Sequence, residues 1–249
     1  MISAILITCN EEHNVRACLE SLDWVDEIVV VDSGSTDDTV PICQEYTDRV
    51  ICTDWPGFGP QKNRALDAAS GDWILSSDAD ERVSAQLGEE LRAITRDSTS
   101  AATWLIPRRS SYCGRIMRHS GWHPDYVLRF FRRGCGRFSD DLVHERLISE
   151  STPGRTGSNL LHFPMESLED AIAKMNRYST LAARAKHLKG ERGSMLKAVS
   201  RGTWTFVRTY LLLLGFLDGR QGFLLAVTNA GGTYLKYAKL VLMQSDGKS

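Results

Sequence analysis

Over its first hundred residues the chain alternates short blocks of branched apolar residues with polar turns and with stretches of helical spacing. Ile2–Thr8 reads as a first strand running into Cys9-Asn10-Glu11-Glu12. Val15, Cys18, Leu19 and Leu22 then fall on one face at the 3.6-residue period, which predicts a helix capped from the Asn10 region. Ile28-Val29-Val30-Val31 is a fully buried strand ending in Asp32-Ser33-Gly34-Ser35-Thr36-Asp37. Thr36 or Asp37 is expected to cap the following helix, where Pro41 is tolerated early, leaving Asp32 free for a ligand. Residues 49–53 give a third strand and 60–69 a helix. After the Gly71-Asp72 turn, Trp73-Ile74-Leu75 gives a fourth strand. This alternation predicts an α/β fold with a doubly wound, mostly parallel sheet. Ligands of such sheets gather at the carboxyl ends of the strands, where residues 8–12, Asp32 and Asp78/Asp80 all fall.

The fourth strand leads into Asp78-Ala79-Asp80-Glu81. Positions i and i+2 of an extended chain share a side, so two carboxylates there repel unless a cation lies between them. Few hard oxygen ligands suit Mg²⁺ or Mn²⁺ held jointly with substrate phosphates; the plainer reading is a solvated acidic turn. Lys62 and Arg64, early in the 60–69 helix, would meet a diphosphate at the same edge or stand as solvated charges. Gly57-Phe58-Gly59 lacks the third glycine of a dinucleotide fingerprint, which argues against a nicotinamide site.

Charge sharpens this picture. The 249 residues sum to −1, yet residues 1–100 carry 7 Lys/Arg against 20 Asp/Glu and the remainder 23 against 11. An acidic half that uses a cation beside a basic half that meets anions fits the split, as does mutual neutralisation of two lobes. Six scattered cysteines, with no C-x-x-C pair, form neither zinc spacing nor a disulfide framework. With Ile2-to-Ile7 too short for a secretory signal, a reduced, cytoplasmic setting is expected. Beyond residue 100, strands are expected over 101–106, 126–131 and 142–148. Eight arginines lie between Arg108 and Arg137 against the single acid Asp125. No nucleic-acid reader motif accompanies them, so phosphate or carboxylate on a substrate is the expected partner. Trp122 and His123, beside Pro124, offer a sugar-stacking platform, with a core position the alternative for Trp122.

In order and spacing, Thr8-Cys9-Asn10-Glu11-Glu12, Val30-Val31-Asp32-Ser33-Gly34-Ser35-Thr36-Asp37, Gln61-Lys62-Asn63-Arg64-Ala65 and Asp78-Ala79-Asp80-Glu81 resemble the family 2 inverting glycosyltransferases. Within that family the chain is similar to the bacterial lipopolysaccharide-core glucosyltransferase branch, over about residues 1–165. The resemblance implies a GT-A nucleotide-sugar fold and a UDP-sugar donor, UDP-glucose in this branch. It implies that Glu11 and Asp32, with Thr8 and Cys9, line the nucleoside, and that Asp78 and Asp80 carry the metal and diphosphate. Cys9 stands where the family often has an aromatic against the base. The implied acceptor is a lipid-linked inner-core saccharide, which Arg129, Trp122 and His123 would hold. An inverting displacement needs a base for the acceptor hydroxyl. Glu145, after His144, matches the branch's His-Glu pair, and Asp141 is the rival. Related enzymes place a metal or diphosphate contact near His162.

Residues 167–189 read as a helix opened by a Ser167-x-x-Asp170 box. Nine Lys/Arg then face one acid, Glu191, between Lys174 and Arg208, followed by apolar runs at 210–217 and 223–227 that are too short to span a bilayer. Basic residues beside short apolar faces fit a helix pair at an anionic membrane surface, peripheral on the inner membrane; a hairpin packed on protein is the alternative. The expected organisation is a catalytic domain over 1–165, with a nucleotide-sugar half (1–100) and an acceptor half (101–165), and a helical segment over 166–249. Two rival functions are a sugar nucleotidyltransferase and a non-catalytic saccharide- or lipid-binding module. The first wants a glycine-rich loop where Cys9-Asn10-Glu11-Glu12 stands, and the second has no use for Asp78/Asp80.

Overall fold

Side-chain alternation along the strands puts apolar cores on both faces of one sheet. The computed structural model describes residues 1–140 and 145–245. Its elements are β1 (Ile2–Thr8), α1 (Glu12–Glu20), β2 (Glu27–Asp32), α2 (Thr39–Gln44), β3 (Val50–Cys52), α3 (Phe58–Ala68) and β4 (Trp73–Asp78). There follow β5 (Glu81–Val83), α4 (Ala85–Arg96), β6 (Thr103–Tyr112), β7 (Arg115–Ile116), β8 (Asp125–Arg132), β9 (Arg137–Phe138) and β10 (Leu147–Ile148). The chain continues with β11 (Gly154–Arg155), β12 (Leu160–Met165), α5 (Leu168–Leu188), α6 (Met195–Val207) and α7 (Gly219–Ser245). Contacts divide the chain into two units, Met1–Arg108 with Asp125–His162, and Arg109–Pro124 with Phe163–Ser249. Residues 109–124, which the sequence reading assigns to the first domain, thus belong with the C-terminal unit.

In the first unit the sheet runs β3-β2-β1-β4-β8-β6-β12-β5. β1 lies parallel to both β2 and β4, β2 lies parallel to β3, and β8 then runs antiparallel to β4 and to β6. Ile2, Ala4, Leu6, Val30, Trp73, Leu75 and Phe130 face one core, which α1 closes with Val15, Cys18 and Leu19 and α4 with Leu87, Leu91 and Ile94. Ile5, Val29, Val31, Ile74 and Phe131 face the other, closed by Ala65 and Leu66 of α3. The apolar runs are therefore continuous because both faces are covered. Phe131 is wholly buried, and its truncation to alanine would cost about 3–5 kcal/mol.

Two capping details depart from the sequence reading. Asn10 does not cap α1: it adopts φ 56°, and its Oδ1 accepts from Thr36 N at 2.9 Å. Neither Thr36 nor Asp37 is the N-cap of α2: that position is Asp38, without a side-chain cap, while Asp37 Oδ1 accepts from Thr39 N at 3.1 Å from one residue earlier, and Asp32 is not freed. Of the strand expected over 142–148, residues 142–144 lie outside the described residues and Leu147–Ile148 pairs with β9. All six cysteines are free thiols.

The second unit is mostly helical. Ser167 and Asp170 form the expected reciprocal box at the start of α5, each side chain accepting from the other's backbone N–H at 3.0 Å. Between α6 and α7 the chain makes a wide turn over Arg208–Leu212 and a tight one over Gly215–Asp218. Trp122 packs edge-on against Tyr112, ring centroids 5.8 Å apart, beside Met117, Ala171 and Leu225, so it is half-buried against the core of this unit. Among the described residues no single helix is long and apolar enough to cross a membrane. The pair Met195–Leu212 and Gly215–Gln244 passes that test together, with a bend of 71° between its parts.

Candidate active site

Strand register alone gathers the acidic residues. Thr8 is paired with Asp32, and Ile7 with Asp78, so the ends of β1, β2 and β4 are neighbours. Asp32 is 1% exposed and fully engaged: Oδ1 accepts from Gly34 N and Ser35 N, at 2.9 and 2.8 Å. Its Oδ2 accepts from Thr8 Oγ1 at 2.9 Å and from Ser35 Oγ at 2.5 Å. Asp32 thus shapes the loop beneath a ligand rather than standing free. The facing loop is knitted to it by Asn10, and Glu11 N donates to Thr39 Oγ1 at 2.7 Å while Glu11 Oε2 accepts from Asn14. Cys9 is exposed on the same rim.

Lys62 departs from both sequence readings, because it is neither solvated nor open to a diphosphate alone. Only 3% exposed, it places Nζ 2.9 Å from Asp78 Oδ1 and 2.9 Å from Glu145 Oε1. Asp78 Oδ2 pairs with Arg129, which also reaches Glu81 Oε1 at 2.9 Å; Arg108 joins Glu81 at 3.3 Å to Asp125 at 2.8 Å. The result is an alternating chain of charges, Glu145–Lys62–Asp78–Arg129–Glu81–Arg108–Asp125. Burial opposes the charge on Asp78, yet Arg129 and Lys62 outweigh it and hold the carboxyl far below the usual carboxylate range. Burial likewise opposes the charge on Arg129, and Asp78 and Glu81 outweigh that. The expectation that Arg129 holds an acceptor is corrected here: its guanidinium lies inside this network, because β8 is an interior strand.

Asp80 goes elsewhere. β4 ends at Asp78, and a turn at 79–80 reverses into β5, so the two carboxylates do not share a side as an extended chain would require. β12 pairs antiparallel with β5, setting His162 opposite Glu81, and His162 Nε2 lies 3.4 Å from Asp80 Oδ2. No cluster of three or more His, Cys, Asp or Glu exists among the described residues. One carboxylate and one imidazole still suit a divalent ion whose other positions go to water and phosphate oxygens, and the imidazole favours Mn²⁺ over Mg²⁺. Asp80 and His162 are donors of a kind that would fit the implied metal.

Arg64 pairs with Asp54 at 2.8 Å and with Thr53 at 3.0 Å, beside the end of β3. Trp122 and the exposed His123 belong to the second unit, and Asp141 lies outside the described residues. Glu81 is the residue that sequence reasoning passed over. It is wholly buried, and it accepts from Asp78 N at 3.0 Å besides pairing with two arginines. An acid directly after Asp78-x-Asp80, in a chain with arginines on a neighbouring strand, was the available signal.

A model of glycosyl transferase family 2 matches residues 3–151. The chain belongs to glycosyl transferase family 2. It is 36% identical over 252 residues to the lipopolysaccharide core biosynthesis glycosyltransferase LpsC of Rhizobium meliloti (strain 1021), covering 96% of this chain and 91% of that one. It is 28% identical over 255 residues to an uncharacterized glycosyltransferase of Rickettsia felis, covering 96% of this chain and 89% of the other. Among solved structures, S. aureus TarS 1-349 in complex with UDP-GlcNAc aligns with a TM-score of 0.50 at 17% identity, over 99% of this chain and 92% of TarS. That likeness shows the fold, a GT-A sheet with a helical C-terminal region. A family 2 member is a glycosyltransferase, which makes the charged edge of this sheet the candidate site.

Proposed function

We propose that the protein transfers a hexose, glucose by preference, from a UDP-sugar to a lipid-linked saccharide of the lipopolysaccharide inner core, with inversion at the anomeric carbon. The observation that carries this reading is the pairing of Asp80 with His162, in a chain that also holds a second carboxylate, Glu145, on Lys62. A bound Mn²⁺ or Mg²⁺ would supply Lewis-acid neutralisation of the departing diphosphate. Glu145 takes the proton of the acceptor hydroxyl, whose oxygen bonds to the anomeric carbon as the bond to UDP breaks and its electron pair leaves with UDP. Lys62 fixes the position of Glu145 through the 2.9 Å contact of its Nζ with Oε1. Thr8, Asp32 and the 9–12 loop form the nucleoside rim. Family membership and the likeness to LpsC, a glycosyltransferase of lipopolysaccharide core biosynthesis, support transfer over nucleotidyl chemistry or mere binding.

The second unit supports a peripheral position on the cytoplasmic face of the inner membrane. Its described residues carry fifteen Lys/Arg against five acids, Glu166, Glu169, Asp170, Glu191 and Asp218. Leu188 and Leu196 are 87% and 80% exposed, and Leu212, Leu242 and Trp204 stand out beside them. Cations next to exposed apolar side chains are what an anionic leaflet binds. The test is a screen of nucleotide sugars for hydrolysis and transfer with Mn²⁺ or Mg²⁺, using wild type, Asp80→Ala and Glu145→Gln. Turnover of a UDP-hexose that is lost in both folded variants supports the assignment; equal turnover in all three refutes it.

A further inference from the structure

The eight arginines between Arg108 and Arg137 sort into two groups once their partners are known. Arg108, Arg129 and Arg137 pair with carboxylates, Arg137 with Asp67 at 2.8 Å. Arg132 lies over the Trp73 ring at 4.7 Å, and Arg133 donates to Ala69 O at 3.5 Å. Arg109, Arg115 and Arg118 have no such partner among the described residues. These three line one concavity of about 540 Å³ in the second unit, with His119, Ile116, Leu217 and Asp218.

The acid in that wall does not neutralise them. Asp218 is 1% exposed, and its oxygens accept from Arg118 N at 3.1 Å, His119 N at 2.9 Å and Ser120 Oγ at 3.3 Å, with His119 Nδ1 also 3.3 Å away. It therefore holds the 118–120 loop by its backbone and orients His119, leaving the guanidiniums to face outward. The wall is rigid as well. A Cβ on Gly222 would come within 1.9 Å of Gly215 O, so the start of α7 lies directly on the turn that carries Asp218. Ser120, at φ 60°, is pinned by donation from its N–H to Leu213 O at 2.8 Å.

We propose that Arg109, Arg115 and Arg118, with His119, form a binding site for a phosphate ester. Three permanently charged planar forks around one cavity match the charge and the oxygen geometry of a phosphomonoester or phosphodiester, and Asp218, the acid among the described lining residues, is engaged by residues 118–120. The group could arrive on a phosphorylated saccharide or on a lipid headgroup, two sources of one chemistry. The site stands apart from the donor reading and rests on it only for what the phosphate would be attached to.

Glucose 6-phosphate, titrated calorimetrically at low salt, probes the first source. Flotation with phosphatidylcholine vesicles carrying phosphatidylglycerol, against phosphatidylcholine alone, probes the second. The comparison sets wild type and the Arg115→Gln/Arg118→Gln double variant against Arg177→Gln/Arg184→Gln, which removes two exposed charges from α5. Arg109→Gln alone is the second probe of the site, and thermal melts and UDP affinity confirm that each variant is folded. We expect the double variant to lose about tenfold or more in one arm while the α5 control changes little. Loss with glucose 6-phosphate assigns a phosphosaccharide, and loss confined to vesicles assigns a headgroup. No binding by wild type, no loss in either arm, or equal loss in the α5 control overturns the site. UDP binding retained throughout would leave the donor reading standing in any of those cases.

Discussion

Lys62 Nζ lies 2.9 Å from Glu145 Oε1, joining residues 83 positions apart. The same ammonium is shared with Asp78, so Glu145 and Asp78 are one electrostatic unit. A lysine 3% exposed, between two carboxylates, is fixed by them and fixes them in turn.

Glu145→Gln keeps the shape of the side chain and an acceptor for Lys62 but removes the proton-accepting charge. The expected outcome is a fall in kcat of roughly 10²–10⁴, with UDP affinity within about twofold of wild type. Steady-state kinetics beside UDP calorimetry checks it. An unchanged kcat would move the base to another residue, Asp141 first.

Arg129→Met leaves wholly buried Glu81 and partly buried Asp78 without their shared counter-charge. Removing one member of such a buried set costs about 3–5 kcal/mol, far more than an exposed pair would. Urea unfolding should show that loss; a change below about 1 kcal/mol would mean the network is solvated.

Gly59 sits in the first turn of α3, where alanine would ordinarily help a helix by up to about 1 kcal/mol. A Cβ there would fall 1.8 Å from Ser139 O, a backbone atom that cannot swing aside. Overpacking of this kind costs about 1–3 kcal/mol, so Gly59→Ala is expected to lower Tm and, by shifting the segment before Glu145, to lower kcat as well. A raised Tm would contradict the close approach.

Much of the fold was legible in the sequence because its signals are local. Continuous apolar runs at 2–7, 28–31 and 73–75 gave the central strands, and their order put Thr8, Asp32 and Asp78 at one edge. What stayed hidden depends on partners distant in sequence. The fate of Asp78 is set by Lys62 and Arg129, and that of Asp80 by a turn and by the register of β12. Two acids separated by one residue therefore look alike in sequence and take opposite roles in the structure. Trp122, offered as a sugar platform, packs on Tyr112 beside Ala171 and Leu225, and the last two contacts arise only because 109–124 belongs with the C-terminal unit. Asp32 looked available because two of its four donors are the backbone N–H groups of Gly34 and Ser35, which a sequence does not display.

Burial, with a smaller contribution from Asp32, pushes the Cys43 thiol up from 9.0 to about 12. A thiol raised in the folded state contributes stability that is complete below the unfolded value and lost as pH rises from about 9 toward 12. The Tm gap between wild type and Cys43→Ala should hold steady up to about pH 9 and narrow above it. A thiol reagent at pH 8 should label exposed Cys9 and Cys52 while sparing Cys43. Rapid native labelling of Cys43, or a gap that is flat through the alkaline range, would count against its burial.

The central claim is that Asp80 and His162 hold a divalent ion against the diphosphate of a UDP-sugar. Calorimetric titration of UDP into wild type, Asp80→Ala and His162→Ala, each with and without Mn²⁺, reads it directly. The account predicts that Mn²⁺ tightens UDP binding by about tenfold or more in wild type and does nothing in Asp80→Ala, with His162→Ala in between. Equal tightening by Mn²⁺ in all three proteins, or none in wild type, would contradict it.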